Sequence, residues 1–506
     1  MWFSAIPFFF TWLVLQRWLI DVTAVGWPVL AAYMALYPAL SVWVLRLLNR
    51  RRITTALPVS IVVPVVWVAL EFVRGDLWMD GYPWFLIGHP LIEWPALAQS
   101  ADLFGQYFIS FVAAIIGGIL AEWWMVSEGR TRMRPALVGT AIGILLVGAN
   151  IAYGSIRLAQ AGHLIPGPRI LAVQTNLPQD NKVGWTPEEQ VEDVRRFIEL
   201  TRTAFESVDG DVDLVVWPET MVPGLGLEPG NILFQRENNL QPEPWLDVMI
   251  ALHQELGRPL LVGNSVKTGL GLEREGDELH YAWEHSYNSA YLVEGDPPYQ
   301  RYDKLFLTPF GETMPYISEW EWLERQLLDL GARGMTFDLE PGEKVSRIEM
   351  GTRAGRISVA TPICFEDAVA RVMRRLIWAD GEKAADLIIN LSNDGWFGDF
   401  DGGRLQHVQI ARFRCIENRV AMVRSVNTGL SVHIDSNGFI IGTATGRDAQ
   451  DGIMQQEGWL IADTMLDTRR TLYASIGEVF PWMCLAVTAA ALALAWFNGR
   501  RIGKPS

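Results

Sequence analysis

Three residues of the chain carry reactive side chains directly after strand-like apolar strings. Glu219 lies in VVWPET, Lys304 in RYDKLFLTPFGE and Cys364 in SVATPICFED. A carboxylate after such a string is partly desolvated, which suits a general base. A thiol at the start of a helix lies where backbone N–H groups and the helix dipole can stabilise a thiolate or an oxyanion. The chemistry open to these groups is proton transfer and nucleophilic attack.

Each of these residues also has an ordinary structural interpretation. Glu219 could cap a helix or form a surface ion pair, and a lone lysine such as Lys304 is most often solvated. A buried cysteine is more often inert packing than a nucleophile. Cys415, at helical spacing in VQIARFRCIENRV, and Cys484, in an apolar run, fit that description. Taken one at a time, the residues leave both interpretations open.

The rest of the composition narrows the chemistry. Three widely separated cysteines and seven scattered histidines give no metal-binding spacing, and neither a GxxxxGK[ST] nor a GxGxxG string occurs. The formal net charge of −15 argues against a nucleic-acid partner, whose binding surface would be basic. We therefore expect no metal, no cofactor and no nucleic acid.

Apolar runs at both ends of the chain predict a membrane protein. The mean hydropathy of +0.15 is high for a soluble protein of this size. Six runs are close to the ~20 residues that a helix needs to cross a bilayer, and their interiors are almost free of charge. The stretch 76–105 is apolar but interrupted by three prolines, which predicts a re-entrant or interfacial segment. The six runs lie at about 3–20, 27–47, 57–73, 107–126, 136–154 and 479–497.

Basic residues in the short connections predict the orientation. Arginines or lysines cluster after the second, fourth and sixth runs, and the positive-inside bias assigns all three clusters to the cytoplasm. Residues 155–477 then lie outside the cytoplasmic membrane. This region alternates strand-like and helical strings, as in an α/β layered domain. We expect a bundle of five spans over 1–154, a catalytic domain over 155–477, and a last span with a cytoplasmic tail over 478–506.

Together, WPE, DKxxLxPFGE and ICFED resemble the carbon–nitrogen hydrolase, or nitrilase, superfamily, whose members use a Glu, a Lys and a Cys in that chain order. With its flanking spans the chain is similar to the membrane-embedded branch, the apolipoprotein N-acyltransferases. The resemblance extends to VQTNLPQ at 173–179 and LSNDGWFG at 391–398. It implies a nitrilase-like αββα sandwich inserted before the last helix of a polytopic transmembrane helix bundle.

The resemblance also implies residue roles. It makes Glu219 the general base, Lys304 the cationic stabiliser and Cys364 the nucleophile. The remaining implied site residues are Glu312 as a supporting group, Phe365 and Glu366 after the cysteine, and Trp185 in NKVGW as a substrate-contacting tryptophan. Tyrosine is common where Phe365 stands, so this chain lacks a hydroxyl there, although the backbone N–H could still serve an oxyanion.

The activity implied by the resemblance is acyl transfer from a membrane phospholipid. The acceptor is the α-amino group of the N-terminal diacylglyceryl-cysteine of an apolipoprotein, reached by a ping-pong mechanism through a Cys thioester. The implied location is the bacterial cytoplasmic (inner) membrane, multi-pass, with the catalytic domain on the periplasmic side. Members of the family usually have more spans than the six counted here, and the difference lies at the amino terminus.

Two other classes of function remain open on the sequence. A membrane-tethered amidase or nitrilase-type hydrolase would use the same three residues with water as the attacking group, although a tether needs only one span. A non-catalytic lipid-binding or transport protein is the second alternative, and transport normally requires charges inside the spans. The sequence does not indicate an oligomeric state.

Overall fold

The computed structural model describes residues 2–54, 57–177, 185–238, 245–275, 278–313, 339–398, 400–446 and 454–502. The chain divides into two compact units. The first comprises Met1–Gly162, Ile416–Asn418 and Arg470–Ser506, and the second comprises His163–Cys415 and Arg419–Arg469. The boundaries between the units lie near residues 162 and 469. The sequence predicts functional domains with boundaries at 154 and 477, and that division stays a prediction.

The first unit is helical. Four of its described helices are long and apolar enough to cross a membrane: Gly26–Arg50, Gln106–Ser127, Met133–Leu158 and Val479–Asn498. The other two predicted spans form α-helices of 14 residues each, the second of which continues directly as a π-helix over Val73–Leu77. The division into six spans stays a prediction. Up to residue 162 the unit's helices are α1 Trp2–Leu15, α2 Leu19–Val22, α3 Gly26–Arg50, α4 Val59–Phe72, α5 Pro95–Ala98, α6 Ala101–Phe104, α7 Gln106–Ser127 and α8 Met133–Leu158.

The proline-rich stretch 76–105 contains only short helices, as its prolines predict. Between the π-helix Val73–Leu77, which follows α4, and α7 lie the 3-10 helix His89–Glu93, α5 and α6. The buried Arg74 holds the stretch by donating to the carbonyl oxygens of Trp84 at 2.7 Å and Tyr82 at 3.1 Å. Glu71 accepts from the Ile87 N–H at 2.8 Å. Arg74 and Glu71, which the sequence analysis does not single out, thus hold the backbone of one loop by hydrogen bonds.

The second unit contains two six-stranded sheets. The described strands are β1 Leu164–Gln174, β2 Leu214–Val216, β3 Leu260–Thr268, β4 Gly271–Glu275, β5 Glu278–Ala282, β6 His285–Val293, β7 Gln300–Asp303, β8 Ile348–Thr352, β9 Gly355–Ala360, β10 Trp378–Ala379, β11 Glu382–Lys383, β12 Leu387–Ser392, β13 Met422–Val426, β14 Val432–Ile434, β15 Ile440–Thr443 and β16 Gly458–Asp467. The first large sheet has the order β16-β1-β2-β3-β6-β7 and the second the order β15-β14-β13-β12-β9-β8, while β4 pairs with β5 and β10 with β11 in two-stranded sheets. The centre of each sheet is parallel: β1, β2 and β3 in the first, and β9, β12 and β13 in the second.

The two sheets contact each other through their central strands, and helices pack on them. The Ser425 hydroxyl on β13 donates to the Val173 carbonyl oxygen on β1 at 3.0 Å. Phe197 and Met249, on two helices, are fully buried in one core with Val215 of β2. Strands such as LIINLS are buried along their whole length because both faces of a central parallel strand are covered. The remaining helices are α9 Pro187–Glu206, α10 Pro229–Glu237, α11 Trp245–Leu256, α12 Ala370–Ile377, α13 Asp401–Asn418, α14 Leu472–Ile476 and α15 Val479–Ile502.

The α/β layered fold predicted from the sequence is confirmed. In this fold the carboxyl end of β2 lies close to β3. The turn after β2 runs alongside β3, and the Val222 N–H donates to the Gly263 carbonyl oxygen at 3.0 Å. A Cβ atom at Gly263 would lie 2.6 Å from the Pro218 carbonyl oxygen and 2.8 Å from the Glu219 Cα. Only glycine permits this close approach of two backbones.

We expect the substitution Gly263→Ala to displace the turn that carries Glu219. Its overpacking should lower the free energy of unfolding by about 1–3 kcal/mol, because the clashing atoms belong to backbone and cannot rotate away. The measurement is the thermal unfolding midpoint of the purified chain in detergent. Gly351→Ala, at a strand position with no atom within 4 Å of the added Cβ, is the matched control. Equal midpoints for the two variants would contradict the close-approach argument.

Candidate active site

Glu219 lies in the turn that follows β2. It is only 7% exposed, which argues against a surface ion pair. The Asn288 side-chain amide, on β6, donates to its Oε1 atom at 2.7 Å. The turn is fixed to β3 because the Trp217 N–H donates to the Leu261 carbonyl oxygen at 2.9 Å. The carboxylate is therefore held in a buried, polar position, as the functional interpretation requires.

Lys304 lies directly after β7 and is 1% exposed. Its ammonium donates to Glu312 Oε2 at 2.6 Å. The same oxygen accepts from the Thr308 N–H at 2.8 Å, so the turn between Lys304 and Glu312 is closed by one carboxylate. This geometry contradicts the interpretation of Lys304 as a solvated surface cation.

Charge keeps this buried pair ionised. Burial alone would lower the pKa of Lys304, but Glu312, with smaller contributions from Cys364 and Glu219, outweighs it and raises that pKa well above its usual range. Burial would likewise raise the pKa of Glu312, and the Lys304 ammonium outweighs it and lowers that pKa. The site thus retains a fixed positive charge.

Cys364 follows β9 and begins the 3-10 helix Cys364–Ala368. Its backbone has φ 51°, in the left-handed region that non-glycine residues rarely adopt and that is often found at functional sites. Of the three cysteines of the chain, Cys364 alone is partly exposed, whereas Cys415 and Cys484 are buried. The exposure and the strained turn distinguish it from a cysteine that serves only for packing.

The thiol of Cys364 is protonated at rest. Burial and then the negative charge of Glu219 raise its pKa well above the usual range, and Lys304 opposes them only in part. A thiol in this state is a weak nucleophile unless a base removes its proton as it attacks. Glu219, Lys304 and Cys364 therefore act on one another electrostatically across the two sheets.

Glu366 ties the cysteine turn to the lysine loop. Its fully buried carboxylate accepts from the Ile363 N–H at 2.7 Å and from the Leu305 N–H at 2.7 Å. It also accepts from the Phe306 N–H at 3.0 Å and from the Tyr302 hydroxyl at 2.8 Å. Burial raises the pKa of Glu366 to about 7 despite these donors. The residue fastens together the segments that carry the nucleophile and the cation.

Phe365 and Trp185 occupy different settings. The Phe365 ring is buried and stacks on Phe306, with 6.3 Å between the centroids. The Trp185 indole N–H donates to Asp193 Oδ2 on α9 at 2.9 Å, and its ring packs against the core of the first sheet. The oxyanion role of the Phe365 N–H and the substrate role of Trp185 stay predictions.

Asn288 is a site residue that the sequence analysis missed. Its side-chain amide donates to Glu219, and its backbone carbonyl oxygen accepts from the backbone N–H of Lys304 at 2.9 Å. The signal that could have found it is a polar residue inside the apolar string NSAYLVE. Among the residues that the structure describes, no group of three or more His, Cys, Asp or Glu side chains could hold a metal ion.

Comparisons with known proteins cover both units. Residues 1–119 match the family described as apolipoprotein N-acyltransferase N-terminal domain, and residues 170–469 match the carbon-nitrogen hydrolase family. An apolipoprotein N-acyltransferase of Geobacter metallireducens is 30% identical over 487 residues, which is 95% of this chain and 81% of the relative. One from Rhodopseudomonas palustris is 30% identical over 472 residues, covering 91% of this chain and 77% of the relative.

A solved structure is also similar. An amidase from Nesterenkonia sp. is 15% identical, with a TM-score of 0.36, over 62% of this chain and 96% of that one. The family is shown by the two domain matches and by the identity with the curated relatives along most of the chain, and not by this solved structure. The chain therefore belongs to the apolipoprotein N-acyltransferase family.

Proposed function

We propose that this enzyme transfers an acyl chain from a membrane phospholipid to the α-amino group of the diacylglyceryl-cysteine at the start of an apolipoprotein. The reaction passes through a thioester on Cys364. The observation that supports this most is a partly exposed thiol under the opposing influence of one buried carboxylate and one buried ammonium, in a chain of this family. A thioester is a suitable intermediate because it reacts readily with amines.

In the first half-reaction Cys364 attacks the ester carbonyl carbon of the phospholipid. Glu219 takes the proton from Sγ as the S–C bond forms, because the thiol is protonated at rest. Lys304 and backbone N–H groups of the cysteine turn stabilise the negative charge that develops on the carbonyl oxygen. The C–O bond to the glycerol then breaks, and Glu219 returns the proton to the departing alcohol.

In the second half-reaction the amine of the apolipoprotein attacks the thioester carbonyl. Glu219 takes a proton from the nitrogen as the C–N bond forms, and Lys304 again faces the oxyanion. The C–S bond breaks and the sulfur recovers a proton, which regenerates the free thiol and leaves an amide. A thioester that waits for an amine must be kept from water, so we expect the occupied site to exclude it.

The membrane setting follows from the four long apolar helices and from the family. We propose that the chain resides in the bacterial inner membrane and that the catalytic domain faces the periplasm. The arginines at the end of α3 and just after it, at 50–52, and those at 130, 132 and 134 around the start of α8 support a cytoplasmic position for these connections. An enzyme anchored there meets its phospholipid donor within the bilayer.

The proposal predicts a labelled thioester on Cys364. Incubation with a phospholipid carrying a radiolabelled acyl chain should leave label on the chain that hydroxylamine removes, because thioesters are cleaved by that reagent. Cys364→Ser should carry no hydroxylamine-sensitive label, whereas Cys415→Ser and Cys484→Ser should label like the wild type. Hydroxylamine-sensitive label that is still found on Cys364→Ser would have to lie on another cysteine and would overturn the proposed nucleophile.

The acceptor distinguishes acyl transfer from hydrolysis. Addition of a diacylglyceryl lipopeptide with a free α-amine should discharge the thioester and yield the N-acyl product, while the same lipopeptide with an acetylated amine should not. An amidase-like hydrolase would discharge the thioester in water alone and yield free fatty acid. Fatty acid as the main product in the presence of the free amine would favour the hydrolase.

Glu312→Gln should make acylation sensitive to alkaline pH. Glu312 is the largest of the influences that raise the pKa of Lys304 against burial, so its removal lowers that pKa. Lys304 of the variant then loses its proton as the pH rises through the lowered value, while the wild-type lysine remains charged. Loss of the charged donor should slow acylation about tenfold or more.

The measurement is the acylation rate of Cys364 as a function of pH. Glu349→Gln, an exposed ion-paired glutamate on β8, is the control and should follow the wild-type profile. A Glu312→Gln profile parallel to that of the wild type would show that Glu312 does not act through the charge of Lys304.

A further inference from the structure

We propose that a buried polar network centred on Asn390 and His407 positions the nucleophile by holding the backbone on both sides of Cys364. This inference rests on the proposed role of Cys364 as the reacting thiol. Asn390 bonds to the backbone of the cysteine turn and His407 to the carboxylates of Asp367 and Asp394, so we treat both as positioning residues that act through these groups.

The cysteine turn needs support from its surroundings because its backbone is strained. Cys364 has φ 51°, and a side chain persists in that conformation only where its surroundings impose it. The turn is also short, since the backbone passes from β9 into a 3-10 helix within four residues. The backbone of the turn makes few hydrogen bonds of its own: the Ile363 oxygen accepts from the Glu366 N–H and the Pro362 oxygen from the Leu391 N–H, each at 3.2 Å. Side chains can supply further donors to these carbonyl groups.

Asn390, on β12, satisfies two of these carbonyls. Its side-chain amide nitrogen lies 3.1 Å from the Pro362 oxygen and 3.3 Å from the Cys364 oxygen, and it donates to both. The amide is completely buried, so these bonds are not shared with water. One side chain thus ties the residue before the turn and the nucleophile itself to the neighbouring strand.

Arg424 fixes the orientation of the Asn390 side-chain amide. Its Nε atom donates to Asn390 Oδ1 at 3.1 Å. An arginine side chain has donors only, so it must meet the amide oxygen and leaves the NH₂ group directed at the cysteine turn. Arg424 is fully buried on β13, the strand next to β12.

His407 completes the support from the other side of the turn. Its Nε2 atom lies 2.7 Å from Oδ1 of Asp367, which belongs to the same 3-10 helix as Cys364. Its Nδ1 atom lies 3.0 Å from Oδ1 of Asp394, after β12. Asp367 also meets Arg424 at 3.3 Å, so the histidine and the asparagine belong to one network.

Charge makes this network rigid. Burial would lower the pKa of His407, but the carboxylates of Asp367 and Asp394 outweigh it and raise that pKa. His407 thus contacts a carboxylate through each ring nitrogen, and Arg424 Nη2 also lies 3.1 Å from its Nδ1 atom. Buried side chains that hold one another in this way have few alternative positions, and they restrict the cysteine turn to one of them.

The test uses small-reagent alkylation and acylation as separate readouts. The rate of Cys364 alkylation by iodoacetamide is followed by mass spectrometry on the detergent-solubilised full chain, per folded molecule. Asn390→Leu and His407→Ala should each slow acylation by labelled phospholipid about tenfold, the equivalent of one lost buried hydrogen bond, with an unchanged KM for the lipid. They should also change the alkylation rate of Cys364.

His407→Gln is the conservative variant, because its amide can donate to Asp367 from the position of Nε2. It should recover most of the acylation rate that His407→Ala loses. His433→Gln, which replaces a buried histidine on β14 of the second sheet, is the matched control and should behave like the wild type. A role in folding alone would lower the yield of folded protein for both histidine variants without this recovery.

The outcomes separate this inference from the proposed function. If Asn390→Leu and His407→Ala alkylate and acylate at wild-type rates per folded molecule, or if His407→Gln is no better than His407→Ala, the inference is overturned. If the wild type alkylates at Cys364 but never forms an acyl thioester, the proposed function fails. The alkylation rates of the variants then still decide the positioning role.

Discussion

The contact between Lys304 and Glu312 is the interaction on which the rest of the site depends. Burial of a lysine that is 1% exposed disfavours its charged form, and the 2.6 Å bond to the Glu312 carboxylate compensates for this burial. The retained positive charge faces a thiol whose pKa is raised by burial and by Glu219. Without the Lys304 ammonium, the developing oxyanion would face the Glu219 carboxylate alone. A negative charge there would destabilise the oxyanion that acyl transfer requires.

The fold supplies these charges from separate strand ends. Glu219 and Lys304 follow β2 and β7 of the first sheet, and Cys364 follows β9 of the second. Glu366 joins the last two by accepting from Ile363 on one segment and Leu305 on the other. The precision of the site therefore depends on buried hydrogen bonds between loops, which hold reacting groups more exactly than apolar packing does.

Sequence patterns predict the α/β fold and the position of Glu219 and Lys304 after strands well, because apolar strings mark strands and reactive residues follow them; the burial of Lys304 is not evident from its own string. They do not reveal Asn288, Asn390 or His407, since each lies inside a string that looks like ordinary strand or helix. Their importance comes from partners that are distant in sequence, such as Glu219 at 69 positions from Asn288. Helix ends are the other weakness: the apolar runs at 3–20 and 57–73 form α-helices that end at Leu15 and Phe72, and the second continues as a π-helix to Leu77.

The most direct test of the account is to measure the pKa of the Cys364 thiol and the acylation rate together in Glu219→Gln. The thiol pKa is read from the pH dependence of alkylation, and acylation from labelled phospholipid. Glu219 both raises the pKa of the thiol by its charge and removes the proton during attack, so the account predicts a lower thiol pKa and yet a much slower acylation. An unchanged thiol pKa, or acylation at the wild-type rate, would contradict it.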